Sequence, residues 1–319
     1  MPFPHVAVDL HKMDIFLQQI INGLVQGSIY ALVALGYTMV YGIMGLINFA
    51  HGEVVMIGTL VTISVAGFMI KAGMPVMLAG MAGLTAAVLV CMALGWGLER
   101  IAYRPLRNAP RLTPLITAIG MSIVLQNVAM IIWGRNYLTF PPLLPKVDFE
   151  FAGANFTAVQ VIIVAVSALT MGGLLFLVYR TKLGMAMRAT SQNPAVASLM
   201  GVNINRVIAA AFIIGSALGA LAGIMVGTYY EIAHYQMGFM LGLKAFTAAV
   251  LGGIGNLAGA MLGGILLGLI EALGAGYIGD LTGGFLGSHY QDIFAFMVLI
   301  VVLMFKPSGL FGEKTGDRA

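Results

Sequence analysis

The chain has 319 residues, of which 60% are hydrophobic and 9% charged, with a net charge of +4. A soluble protein carries roughly 25% charged residues, so the composition excludes a soluble globular chain and indicates an all-α polytopic membrane protein. The basic residues cluster in loops between apolar runs, a topology signal rather than a nucleic-acid footprint, and the single cysteine, Cys91, excludes an internal disulfide or a cysteine-based metal cluster.

About 20 apolar residues cross a bilayer core as a helix. Met1–Met13 reads as an N-terminal extension, mixed polar as far as Lys12, and no signal peptide is expected. Residues 15–52 carry no formal charge, too long for one ordinary span and too short for two. Asn22, Gln26, Gly36, Gly42 and Gly45 interrupt them, which predicts one long or broken helix. Gly45–Glu53 (GLINFAHGE) then sets Asn48, His51 and Glu53 between two apolar runs. Glu53 is expected to cap a helix starting near Val54, because a carboxylate favours a helix N-terminus; gating or substrate contact is the alternative. Capping is also expected of Asn48.

Spans follow at 54–70, 76–98 and 114–133. Between the last two, residues 99–113 carry four arginines and one glutamate, which places them inside by the positive-inside rule. Residues 134–157 balance Arg135 and Lys146 against Asp148 and Glu150. After a span at 158–179, the loop 180–206 holds Arg180, Lys182, Arg188 and Arg206 and no acid, so it is assigned to the cytoplasm. Within it Asn193 suits an N-cap, Pro194 the first helical position, Ala195–Met200 a short helix, and Gly201 a left-handed C-terminal residue. A capped helix held there suits docking to a cytosolic partner.

The span 207–228 carries Gly215, Gly219, Gly223 and Gly227, every fourth residue, and Gly255, Gly259 and Gly263, with Gly264 and Gly268, repeat the pattern later. Such stripes predict close-packed helix seams. Residues 229–243 and 279–289 contain no Lys or Arg and are assigned outside, with Glu231 and His234 exposed. The tail, with Lys306, Lys314 and Arg318, is assigned inside. An even number of crossings must then separate loop 180–206 from the tail, yet only 207–228, 259–278 and 290–305 are full spans. A fourth is expected from a half-helix, Lys244–Gly253, followed by a break at Gly252–Asn256 that contains Gly253 and Asn256. Asn256 is also expected to cap. Glu271, placed about two turns from the outer end of its helix, is expected to snorkel or face a cavity. The prediction is therefore eight or nine membrane segments, with broken or half helices near 45–53 and 244–256. One interruption in each half of the chain is the pattern of a transporter whose passage runs beside the breaks. No catalytic motif, phosphate loop or metal-ligand set appears.

INFAHGE (47–53), ERIAYRPLR (99–107), ITAIGMSIVLQN (116–127), AFTAAVLGGIGNLAGAMLGG (245–264) and the loop 184–206 resemble the bacterial branched-chain amino acid ABC transporter permeases, and most closely the shorter of their two permease subunits. The resemblance covers roughly residues 14–311 within a single permease domain, 1–319. It implies a multi-pass inner-membrane subunit that imports leucine, isoleucine and valine and is not itself an enzyme. The implied partners are a homologous permease, two cytosolic ATPases that use ATP and Mg²⁺, and a periplasmic amino-acid-binding protein, with no cofactor on this chain. It implies further that 184–201 is the ATPase-coupling segment. Coupling loops of the wider superfamily commonly carry Glu-Ala-Ala before a glycine, and this loop has no acid. Coupling is therefore expected from Arg188, Asn193, Pro194, Ala195, Leu199, Met200 and Gly201. A passage bordered by Asn48, His51, Glu53, Gly253, Asn256 and Glu271 is expected to open alternately to the two sides. Alternatives are a same-family importer of urea, short amides or other amino acids, and a proton-coupled transporter working through Glu53 or Glu271.

Overall fold

A computed structural model describes residues 4–107, 109–110, 112–144, 147–151, 153–282 and 290–312. Eleven helices are described: α1 (Pro4–Met44), α2 (His51–Lys71), α3 (Val76–Gly97), α4 (Leu112–Trp133), α5 (Ala158–Arg180), α6 (Lys182–Gln192), α7 (Pro194–Leu199), α8 (Ile204–Tyr230), α9 (Met237–Gly252), α10 (Leu257–Leu281) and α11 (Gln291–Phe305). Helix α3 runs on through a π turn, Leu98–Tyr103, and a 3₁₀ turn, Arg104–Leu106. Among the described residues seven helices are long and apolar enough to cross a membrane, and Met237–Gly252 and Ala295–Phe305 are shorter apolar helices. The chain is an integral membrane protein.

The predicted spans and the helices agree closely, because a run of apolar residues in lipid must satisfy its backbone internally. Residues 15–52 resolve into one long helix, α1, and a non-helical stretch from Gly45 to Ala50. Helix α1 is buried from Gly27 to Val40 and packs on α8, α9 and α10. Both glycine stripes are close-packed seams. Gly215 lies against Gly36, Gly223 against Val55 and Thr59, Gly264 against Ala31, and Gly268 against Gly27. The Thr59 hydroxyl donates 2.8 Å to the Gly223 carbonyl across the first seam, an interhelical bond that the missing side chain allows. Helices α3, α4, α5 and α11 instead turn large apolar side chains outward, as a lipid-facing or partner-facing rim does.

The two ends of the bundle differ. At one, β2 (Asp148–Phe151) pairs antiparallel with β3 (Ala154–Thr157), and β1 (Leu138–Thr139) pairs with β4 (Ile232–Ala233). The Asn155 amide donates 2.9 Å to Gln18 Oε1, which fixes the first half of α1 at this hairpin end. At the other, the loop end, Met39, Gly42 and Ile43 of α1 share a small pocket with Met187, Arg188 and Ser191 of α6 and with Gly255 and Leu257.

Three expectations need correction. The half-helix starts at Met237, not Lys244, so its 16 residues span about 24 Å and most of the 229–243 segment is helix. Gly238 and Gly242 pack against Gly52, and small residues there seat this helix where charge counting alone saw a loop. The helix after the first break starts at His51, not near Val54. The loop 180–206 contains a second helix, α6, whose N-cap Thr181 accepts from the Gly184 amide at 3.1 Å. Met1–Phe3, Lys146, Lys314 and Arg318 lie outside the described residues, as does most of 279–289.

Candidate functional site

Helix α1 ends at the loop end, where Gly45 adopts φ +63 and its amide donates 2.7 Å to the Tyr41 carbonyl. Four residues into α2, Val54 and Val55 already lie beside Gly219 in the interior of the bundle. Residues 45–50 thus climb back into the protein as non-helical chain that ends in a turn, and their polar groups must find partners there. Asn48 supplies several. Its Oδ1 accepts 3.1 Å from the Ala50 amide and 2.8 Å from the Tyr103 hydroxyl, while its carbonyl accepts from the His51 amide at 3.0 Å. Asn48 therefore closes a turn before α2 and anchors the break to the π turn after α3. The His51 ring fills the notch left by Gly36 and Gly219 and meets Tyr37 edge-on at 5.0 Å.

Glu53 is not a cap. It is fully buried, and its Oε1 accepts 2.9 Å from Ser122 Oγ and 2.8 Å from Gln126 Nε2, both on α4. Among the described residues, its Oε2 and the Nε2 of His51 have no hydrogen-bond partner. Buried side-chain donors on a neighbouring helix draw the carboxylate away from the amides of its own first turn. Ser122 and Gln126 also form the polar end of a groove of about 650 Å³ between α4 and α9. Tyr37, Phe49, Ile119, Ile123, Phe239 and Leu243 supply much of the rest of its wall.

Glu271 neither snorkels nor faces this groove. It is ten residues from the end of α10, is 1% exposed, and belongs to a buried cluster. Its Oε2 accepts 2.7 Å from the Tyr30 hydroxyl and lies 3.3 Å from Lys244 Nζ, which also pairs with Asp292 at 2.7 Å. One cation thus faces two carboxylates from α9, α10 and α11. Lys244, the start of the expected half-helix, is its hub. An ionisable group inside an apolar run was the available signal. Ser122 and Gln126, one turn apart on a largely apolar helix that also carries Asn127, gave a similar signal for the groove.

The second break sits at the loop end, not at mid-bundle. Gly253 (φ +107) and Gly255 (φ +96) turn the chain, and Asn256 Oδ1 caps α10 by accepting 3.0 Å from the Gly259 amide. The carbonyls of Leu251 and Gly252 accept 2.9 Å bonds from the Leu310 and Phe311 amides, and Asn256 Nδ2 donates 3.0 Å to the Phe311 carbonyl. The tail thereby straps the break and lies at the same end as loop 180–206, as the parity argument requires. Asn48, His51 and Glu53 form one locus; Gly253 and Asn256 lie apart from it, as does Glu271.

At the loop end α7 forms as read. Asn193 Oδ1 accepts 3.1 Å from the Val196 amide, Pro194 opens the helix, and Gly201 takes φ +83. Ala197 turns inward, while Leu199 and Met200 are 85% and 80% exposed. Val196 of α7 is exposed as well, as is Met185 of α6. The Arg188 guanidinium lies 5.3 Å over the Tyr179 ring, which steadies it beside the tip.

A family model described as branched-chain amino acid transport system, permease component, matches residues 19–303. The high-affinity branched-chain amino acid transport system permease protein BraD of Pseudomonas aeruginosa is 46% identical over 95% of this chain and 98% of that one. The corresponding permease protein LivH of Escherichia coli is 44% identical, over 95% and 97%. A solved structure, PsaBC from Streptococcus pneumoniae in complex with Fab, covers 92% of each chain at 16% identity with a TM-score of 0.45.

Proposed function

The chain belongs to the branched-chain amino acid transport system permease family, and from that premise we propose that it is a membrane-spanning subunit of an ATP-driven importer of leucine, isoleucine and valine. What carries the reading is end-to-end likeness to two permeases of that named cargo. The subunit is a transport component and not an enzyme. ATP and Mg²⁺ belong to two cytosolic ATPases, a homologous permease completes the pathway, and a periplasmic binding protein delivers the amino acid. The loop end, with its arginines and the exposed tip of α7, faces the cytoplasm of a bacterial inner membrane, and the tail shares that side.

Each ATPase offers a groove to such a tip. Residues Leu199, Met200 and Val196 give the apolar contact, Arg188 the charge, and Asn193, Pro194 and Gly201 the rigid caps. Because α6 packs on α1 and lines a pocket with Gly255 of the strapped break, a push on α7 is passed to α1, and α1 ends where the 45–50 stretch begins. Asn48, His51 and Glu53 then border the passage that changes its access.

The test is reconstitution. The chain is purified with its ATPases and second permease, inserted in liposomes, and given loaded binding protein. ATP-dependent accumulation of labelled leucine is expected, abolished when the ATPases cannot hydrolyse ATP. Uptake that persists without ATP hydrolysis, driven by a proton gradient, would overturn the reading in favour of coupling through Glu53.

A further inference from the structure

Glu53 is a carboxylate with no cationic partner among the described residues, set one hydrogen bond behind the wall of the α4–α9 groove. Lys244 and Asp292 belong to the other cluster, and the groups that face Glu53 are Ser122, Gln126, Tyr37 and the backbone of Gly238. The orientation of the Gln126 amide follows from chemistry. A carboxylate accepts only, so Gln126 must turn its NH₂ inward to Glu53. Its carbonyl oxygen is left for the groove and accepts no hydrogen bond among the described residues. Ser122 likewise spends its proton on Glu53, and its oxygen, which accepts 3.4 Å from Gln126 Nε2, keeps one lone pair. The polar end of the groove therefore offers acceptors backed by the buried Glu53 carboxyl group, Gln236 adds a second amide to the lining, and the remaining wall, Met240 included, is aliphatic and aromatic.

Resting on the importer reading, we propose that this groove is a transit site for a primary ammonium carrying a branched aliphatic tail. The ammonium sits at Ser122 and Gln126, and the tail lies against Ile119, Ile123, Phe239 and Leu243. Glu53 does not touch the cargo. It is a positioning residue that fixes the Gln126 amide and the Ser122 hydroxyl. An amino acid enters with its carboxylate turned away from Glu53, toward the open side of the groove.

The experiment uses the assembled importer with Met240→Cys at the groove's edge, the native Cys91 being buried. The rate of thiol modification by a methanethiosulfonate is read with leucine, with 3-methylbutylamine (no carboxylate) and with 4-methylpentanoate (no ammonium). Leucine and the amine are expected to slow labelling about threefold or more, and the acid to leave it unchanged. In Gln126→Leu the protective concentration of leucine should rise about tenfold for the lost acceptor. The same variant should move less leucine per ATP hydrolysed, while loaded binding protein still stimulates the ATPase. Absence of protection by leucine, or equal protection by the acid, overturns the proposal. Should Gln126→Leu fail to assemble, the Met240→Cys protection pattern with native Gln126 decides alone. The two readings fail separately: a wild-type complex that takes up leucine but shows no protection loses only the groove, whereas protection without ATP-dependent uptake loses the importer.

Discussion

At the scale of single residues, the chain keeps two kinds of buried charge, and they answer to different rules. Around Lys244 one ammonium serves Glu271 and Asp292, with the Tyr30 hydroxyl completing the shell of Glu271. Removing a partner from a buried pair costs roughly 3–5 kcal/mol, because the other charge is stranded. Lys244→Met strands two carboxylates and should be the most destabilising change at the cluster. Glu271→Gln should cost less. Asp292→Asn should cost least, since it leaves a balanced Lys244–Glu271 pair beside a hydroxyl. Thermal unfolding of the purified permease in detergent gives the order, and a variant Lys244→Met as stable as Asp292→Asn would show that the cluster is not held by its charges. Glu53 is the opposite case, an acid held by neutral donors only, and it acts on a charged cargo through the Ser122 and Gln126 side chains that it orients. The sequence showed Glu53 and Glu271 alike as acids near apolar runs. Their partners come from helices far away in the chain, so periodicity could not separate the two.

At the scale of elements, α7 was legible in full. Cap, proline, helix former and left-handed glycine are local chemistry, and each acts within four residues. What the sequence left open was which face the helix keeps free. Packing turns Ala197 inward and exposes Leu199 and Met200, a face that water tolerates but does not favour. Leu199→Asp combined with Met200→Asp should leave the melting temperature of the isolated permease unchanged and lower ATP-driven uptake at least about tenfold through loss of an apolar anchor. Co-purification of the ATPase should fall with it. Arg188→Glu reverses the charge beside the tip and should act in the same direction. Wild-type uptake in both variants would remove α7 from the coupling path. Helix α9 is the contrary lesson: its first turns, Met237–Leu243, are apolar but fall in a stretch without Lys or Arg, so charge counting assigned them to an outer loop. Gly52 packed against Gly238 and Gly242 supplies the start instead.

At the scale of the whole molecule, the parity argument and the fold agree on one topological fact. The basic loop and the tail share an end, and the two hairpin strands lie at the other. Single cysteines at Leu199 and at Phe149 should therefore label from opposite sides of right-side-out vesicles, the former only after permeabilisation. Labelling of both from one side would break the topology and, with it, the assignment of the groove to a path between compartments. The tail strap on Leu251 and Gly252 makes the loop end one mechanical piece, joining α6, the turn before α10 and the last helix.

The sequence by itself determined the class, the spans, the side shared by loop and tail, the caps of α7 and the close seams at the glycine stripes. Each of these rests on a local quantity: the hydrophobicity of about 20 neighbours, the sign of a loop's charge, or a residue type at fixed spacing. Tertiary structure alone decided the depth of the two breaks, the partners of Glu53 and Glu271, and the groove. Those follow from which helices adjoin, and a buried polar atom takes the nearest donor in space whatever its distance along the chain. Ser122 and Gln126 reach Glu53 across 69 and 73 residues, a separation over which no sequence pattern carries a hydrogen bond.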